Sequence, residues 1–117
     1  METPTINDID LLKIGRHFRL DSDTKLVIGR HKDENEMIKA IALPNDILLE
    51  ARDHMGPVSI LRGKTADNHI EFASSVTLRY SDAPRKEKAY VNIHKNSKKE
   101  DIVSEPAEED SYIKFRI

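Results

Sequence analysis

The stretch from Gly56 to Thr65 comes nearest to a reactive motif in this sequence, with two glycines and Lys64-Thr65 directly after the second. A phosphate-cradling loop of that kind needs four residues between its glycines. Here six intervene, and Val58, Ile60 and Leu61 among them are strand formers. Gly63-Lys64-Thr65 therefore reads as a turn between a strand and a helix. His17, His31, His54, His69 and His94 include no pair at metal-ligand spacing. Asp21-Ser22-Asp23 lacks the third ligand and the glycine of a calcium loop. Asp53-His54 could pair a base with its orienter, but no strained serine or activated nucleophile accompanies them. Glu108-Glu109 sit in a polar stretch with no cleft to raise a carboxyl pKa. The chain has no Cys, which removes disulfides, thiolate metal sites and sulfur chemistry of its own. No catalytic residue, metal or cofactor is expected, and the chain by itself is not expected to be an enzyme.

Cations offer more. Arg16, Arg30 and Arg62 each flank a strand end, and a guanidinium fork matches a phosphodiester bidentately. Lys25, Lys32 and Lys64 add longer-range positive charge. The net charge of −2 hides a segregation: six cations oppose two acids over 11–32, six oppose one over 84–99, and 100–110 then carries six acids and no cation. Internal partners compete for these arginines, Asp33 or Glu34 for Arg30 and Glu50 for Arg62. Stacking groups are scarce. Phe18, Phe72 and Phe115 fall on apolar faces, leaving His17, Tyr90 and Tyr112 as candidate exposed platforms. Recognition is then of backbone and shape, with little base specificity.

The elements that must hold these side chains follow from periodicity. Residues 17–20 and 25–28 alternate around the turn former Asp21-Ser22-Asp23-Thr24, which predicts a hairpin. Asp33 with Glu36 resembles a capping box, and Met37, Ile38 and Ile41 carry a short helix up to Pro44. Ile47-Leu48-Leu49 and Val58-Ser59-Ile60-Leu61 read as strands. Ile70, Ala73, Val76, Thr77 and Tyr80 give one face to a helix over 65–80, capped by Thr65 or Asp67. Residues 90–94 and 112–117 alternate strictly, so the carboxyl terminus is expected to be the last strand. The expected fold is α+β: a single domain with a mostly antiparallel mixed sheet of about six strands and two helices on one face. Ile28, Ile60, Ala73, Val91 and Phe115 should share its core. Residues 1–10 are expected to be a flexible N-terminus, 11–117 the folded domain, and 95–110 a mobile acidic loop. No apolar stretch approaches the length of a membrane span and no signal peptide is visible, so the expected location is the cytoplasm.

In order and spacing, several of these segments resemble the NFACT RNA-binding domain. The carriers are Arg16-His17-Phe18-Arg19, then Val27-Ile28-Gly29-Arg30 with Asn35, then Asp46-Ile47-Leu48-Leu49 against the family's Asp-Leu-Trp-Phe. Gly56 to Arg62 and Phe72-Ala73-Ser74-Ser75 through Arg79-Tyr80-Ser81 complete the set. Leu48 and Glu50 stand where the family has Trp and His, Pro57-Val58 replaces Ser-His, and the basic stretch at Lys95 to Lys99 turns acidic. The opening Leu11 to Leu20 is similar to that of the NFACT-R-like domain at the C-terminus of PP-loop tRNA thiouridylases. That resemblance implies a module that holds tRNA or other RNA while a PP-loop ATPase domain performs sulfur transfer. It implies no membrane partner. A protein-docking module of a tRNA-modifying or ribosome-associated complex is the alternative.

Overall fold

The computed structural model describes residues 6–117. Residues 1–5, half of the segment expected to be flexible, lie outside them. Alternation in β1 (Arg16–Asp21) and β5 (Ala89–Lys95) and short apolar runs in β2 (Thr24–Ile28), β3 (Ile47–Ala51) and β4 (Ser59–Gly63) produce five strands. A sixth, β6 (Lys98–Ser104), lies within the expected acidic loop. They form one sheet in the order β1-β2-β4-β3-β5-β6, every neighbour antiparallel. The helices among the described residues are α1 (Ile6–Leu12), α2 (Lys32–Ile41), α3 (Asp67–Arg79) and the one-turn α4 (Glu109–Tyr112). The molecule is thus one α+β domain on a six-stranded antiparallel sheet.

Several expectations are corrected. Residues 6–12 form a helix, whose Leu11 is fully buried against Val27, Ile38 and Ile60. The segment 95–110 is no open loop: Lys95 pairs with Lys98 across Asn96 and Ser97, both at positive φ, which closes a two-residue hairpin. The final strand does not exist. Residues 109–115 coil into α4 and a 3-10 turn, and only the isolated bridge Phe18 to Arg116 joins the sheet. Alternation at 112–117 misled because three aromatic contacts decide the path: Tyr112 packs on Phe18 and Tyr80, and Phe115 on Phe72. Both caps differ too. His31 caps α2, and Ala66 begins α3 with its N–H donated to His69 Nδ1.

Alternation also divides the core between the two sheet faces. Leu26, Ile28, Leu49, Leu61, Val91 and Ile93 turn toward Ala73, Val76 and Leu78 of α3. Val27 and Ile60 turn the other way, toward α1 and Ile38 of α2. The two expected helices therefore lie on opposite faces, and Ile60 is not in the same cluster as Ile28, Ala73 and Val91. Phe115 is only half-buried at the rim of that cluster. A second helix layer was hard to foresee because Val27 lies within the apolar run Leu26-Val27-Ile28 and Ile60 directly beside Leu61, and such adjacent apolar residues give periodicity no side to assign.

Candidate nucleic-acid interface

The pairing register gives the sheet two ends. Arg16, Ile28, Ser59, Ala51, Ala89 and Ser104 mark one. Asp21, Thr24, Gly63, Ile47 and the hairpin Lys95–Lys98 mark the other. The six candidate cations divide between them. Arg16, Arg30 and Lys32 belong to the first end, and Lys25, Arg62 and Lys64 to the second.

At the first end, Arg16 and Arg30 border a depression of about 280 Å³ lined also by Gly29, Asn35, Pro57 and Tyr80. Both guanidiniums are held. That of Arg16 lies 4.6 Å from the Tyr80 ring centroid, a cation–π stack. That of Arg30 forks onto Glu34, with Nε 2.9 Å from Oε1 and Nη2 2.7 Å from Oε2. Nη1 is left unengaged among the described residues, and half of the side chain is exposed. Glu34 is itself fixed by the N–H groups of Gly15 (3.0 Å) and Arg30 (2.9 Å). The Arg30 hydrogen bonds, with those N–H groups, overcome burial and pull the Glu34 carboxyl down to about 2. Gly15 is required here: its φ is +75°, and a Cβ would press on Val27 and the Ile28 carbonyl.

Asn35 completes the floor. Its Oδ1 accepts from Val58 N–H at 3.0 Å, and Gly29 N–H donates to the Val58 carbonyl at 3.0 Å. A Cβ on Gly29 would collide with that Asn35 amide. Asn35 Nδ2 has no partner among the described residues, so the depression offers donors from Arg16, Arg30 and Asn35. Glu34 takes Nε and Nη2 of Arg30, and the remaining donors, with the Arg16 charge uncompensated by an ion pair among the described residues, suit a phosphate oxygen. Two further loops reach this end and are joined by Asp82 N–H on the Met55 carbonyl, 2.8 Å. The second of them carries exposed Arg85, Lys86 and Lys88. They belong to the basic block 84–99 but not to the candidate site residues, because only the sheet register places their loop at the same end of the sheet as Arg16 and Arg30.

At the other end Arg62 is a structural residue. Its side chain is 12% exposed and bonds Asp46 through Nε (3.1 and 3.2 Å) and Nη2 (2.7 Å), and Asp8 through Nη1 (3.0 Å). Arg62, a candidate for phosphate contact, is held by these two carboxylates instead, and Glu50, the anticipated internal partner, pairs with Lys39. Lys25 lies across the strand pair from Arg62 and is half-buried; desolvation, then the Arg62 charge, lowers its pKa. Lys64 is exposed, and its N–H donates to the Asp23 carbonyl. Of the proposed aromatic platforms only Tyr90 is exposed. Tyr112 is buried, and half-buried His17 bonds the Ile14 carbonyl through Nε2. Gly63 is the last residue of β4 and Gly56 lies three residues before its start, so the span between the glycines is largely strand and not a phosphate loop. Among the described residues no three side chains converge to hold a metal ion.

The profile of the NFACT protein RNA binding domain family matches residues 15–116. The chain belongs to this family. Its matched span runs from the glycine that donates to Glu34 to the Arg116 bridge. No curated protein is matched by the sequence. A solved structure, the C-terminal part of the fibronectin/fibrinogen-binding protein from Streptococcus suis, is similar with a TM-score of 0.77 at 15% identity. The similarity covers 89% of this chain and 49% of that one, so this chain spans about half the length of that relative. At that identity the likeness concerns the fold. No helix among the described residues is long and apolar enough to cross a membrane.

Proposed function

We propose that this domain is a non-catalytic, cytoplasmic tRNA-binding module that grips the phosphate backbone at the Arg16–Arg30 end of its sheet. In this reading it holds tRNA for a PP-loop thiouridylase domain that supplies the sulfur-transfer chemistry. The observation that carries it is the pair of immobilised guanidiniums over one donor-lined depression, Arg16 stacked on Tyr80 and Arg30 forked onto Glu34. Side chains already fixed lose little entropy on binding, and the Nη1 that Glu34 leaves free on Arg30 can donate singly to a phosphate oxygen. The resemblance of the opening Leu11 to Leu20 to that of thiouridylase C-terminal domains supports the association, and residues of this opening help build the phosphate-gripping end. Leu11 and Phe18 anchor it in the two core clusters, Gly15 positions Glu34, and Arg16 is one of the two guanidiniums.

The test is a salt series of tRNA binding. Each phosphate neutralised contributes about 0.9 to the slope of log affinity against log salt. Arg16→Ala and Arg30→Ala should each weaken binding and flatten the slope by about one, while Arg62→Ala should leave it unchanged. Binding insensitive to salt and to both variants would assign the domain to protein docking instead.

A further inference from the structure

The face of the sheet opposite α3 is covered by α1 and α2 over β1, β2 and β4, and their cluster reaches Leu48 of β3. Beyond it, over β5 and β6, the face is open, with a depression of about 390 Å³ at the border whose lining includes Lys39, Leu48, His94 and Lys99. The register orders this open face in rows. Leu48, His94 and Lys99 form one, Glu50, Asn92 and Asp101 the next, and Tyr90 pairs with Val103 in the third. Arg52 joins the third row, its N–H donating to the Tyr90 carbonyl at 3.0 Å.

The guanidinium of Arg52 lies 3.9 Å from the Tyr90 ring centroid. Carboxylates hold its edges: Nε is 3.2 Å from both Asp53 oxygens, Nη2 3.1 Å from Asp53 Oδ2, and Nη1 3.0 Å from Asp101 Oδ2. Guanidinium donors point within their own plane, so these bonds fix its tilt and leave the outer π-face open. Arg52 is 39% and Tyr90 42% exposed. Of the other acids of the face, Glu50 lies 3.8 Å from Lys39, and Asp101 shares the one charge of Arg52 with Asp53. Lys99, opposite His94, has no ion partner among the described residues. Arg52, Lys39 and Lys99 together balance Asp53, Glu50 and Asp101, so this face is close to neutral and suits a ligand held by stacking rather than by charge. His94 follows Tyr90 by four residues on the same face, about 13 Å at the usual strand rise of about 3.3 Å per residue. Asn92 between them presents an amide donor and acceptor.

We propose that Arg52 stacked on Tyr90, together with His94, is a platform for unpaired bases, so that the domain takes a single-stranded RNA segment across its open sheet face. Arginine planes and aromatic rings are the usual stacking partners of splayed bases, and Asn92 is placed to meet a base edge. The proposal rests on the RNA reading above and adds a second surface to it. The phosphate-gripping end lies beside the third row, since the Arg52 loop is tied to the basic loop through Met55 and Asp82.

Three labelled probes separate the two surfaces: hexaadenylate, an abasic hexamer with the same phosphates, and a short RNA duplex. The parent should bind hexaadenylate at least about five-fold more tightly than the abasic hexamer or the duplex. Tyr90→Ala, His94→Ala and Arg52→Lys should each remove about that factor without changing the salt slope, and Tyr90→Phe should retain it. Arg16→Ala and Arg30→Ala should do the reverse, altering the slope and sparing the preference for bases. Equal affinity for abasic and adenylate hexamers, or parental binding by the Tyr90→Ala and His94→Ala variants, overturns the platform and leaves the phosphate reading standing. Failure of the parent to bind tRNA or hexaadenylate overturns both. Loss of self-association by Tyr90→Ala with RNA binding intact would make this face a protein interface and also overturns the platform.

Discussion

Replacing Arg62 by alanine tests whether an arginine in a basic stretch serves the fold or a ligand. The change deletes the three hydrogen bonds to Asp46 and the arm to Asp8. Asp46 is then left 4% exposed at its side chain, with only the Leu43 N–H at 2.8 Å to hold its carboxylate. Removing one partner of a buried ion pair costs about 3–5 kcal/mol, because a buried charge loses its counterion. The Asp8 arm, one-third exposed, adds less than about 1 kcal/mol. Because Arg62 sits at a sheet end that water can partly enter, the lower value applies, about 3 kcal/mol. For a chain of 117 residues that corresponds to a fall in Tm of about 12 °C, at about 4 °C per kcal/mol. Thermal melts by circular dichroism, checked by the urea midpoint, measure it. A Tm within about 2 °C of the parent, together with a weakened tRNA affinity, would refute the assignment of Arg62 to the fold.

Other perturbations follow from the same geometry. Glu34 has its folded pKa depressed from 4.5 to about 2, so its contribution to stability is complete above 4.5 and is lost as the pH falls toward 2. Glu34→Gln should flatten that acid window in a pH series of melts, and an unchanged profile would contradict the Arg30 clamp. Phe18→Ala, at a fully buried side chain, should cost about 3–5 kcal/mol in urea unfolding. Phe115→Ala, half-buried against Phe72, should cost about half as much, and equal losses would place the C-terminus deeper than it lies here. Ser97→Gly, at φ +67° in the hairpin tip, should raise stability by about 0.5–1 kcal/mol, and a loss would mean that the tip is not a two-residue turn.

Five of the six strands and both long helices were legible, because hydrophobic alternation and helical spacing act within a few residues. The sixth strand was not. Lys98-Lys99-Glu100-Asp101 carries no apolar residue, and β6 is an exposed edge whose pairing rests on β5 and the Asn96-Ser97 turn. Conversely, Ile113, Phe115 and Ile117 alternate but cannot form a strand, since Tyr112 is claimed by Phe18 and Tyr80. At the candidate site, type and position pointed to Arg16 and Arg30, and the structure places both beside one depression. Arg62 looked equivalent because Asp8 and Asp46, its partners, are 54 and 16 residues away in sequence. The Arg52–Tyr90 stack spans 38 residues of chain and leaves no local signature.

The most direct measurement is a titration of the isolated domain with bulk tRNA at low salt, following backbone amide resonances. The account predicts fast-exchange shifts centred on Gly15 to His17, Gly29 to Asn35, Met55 to Pro57 and Tyr80 to Lys88, which fade as salt is raised. Shifts confined to the opposite end of the sheet around Lys25, Arg62 and Lys64, or none with tRNA in excess, would contradict it.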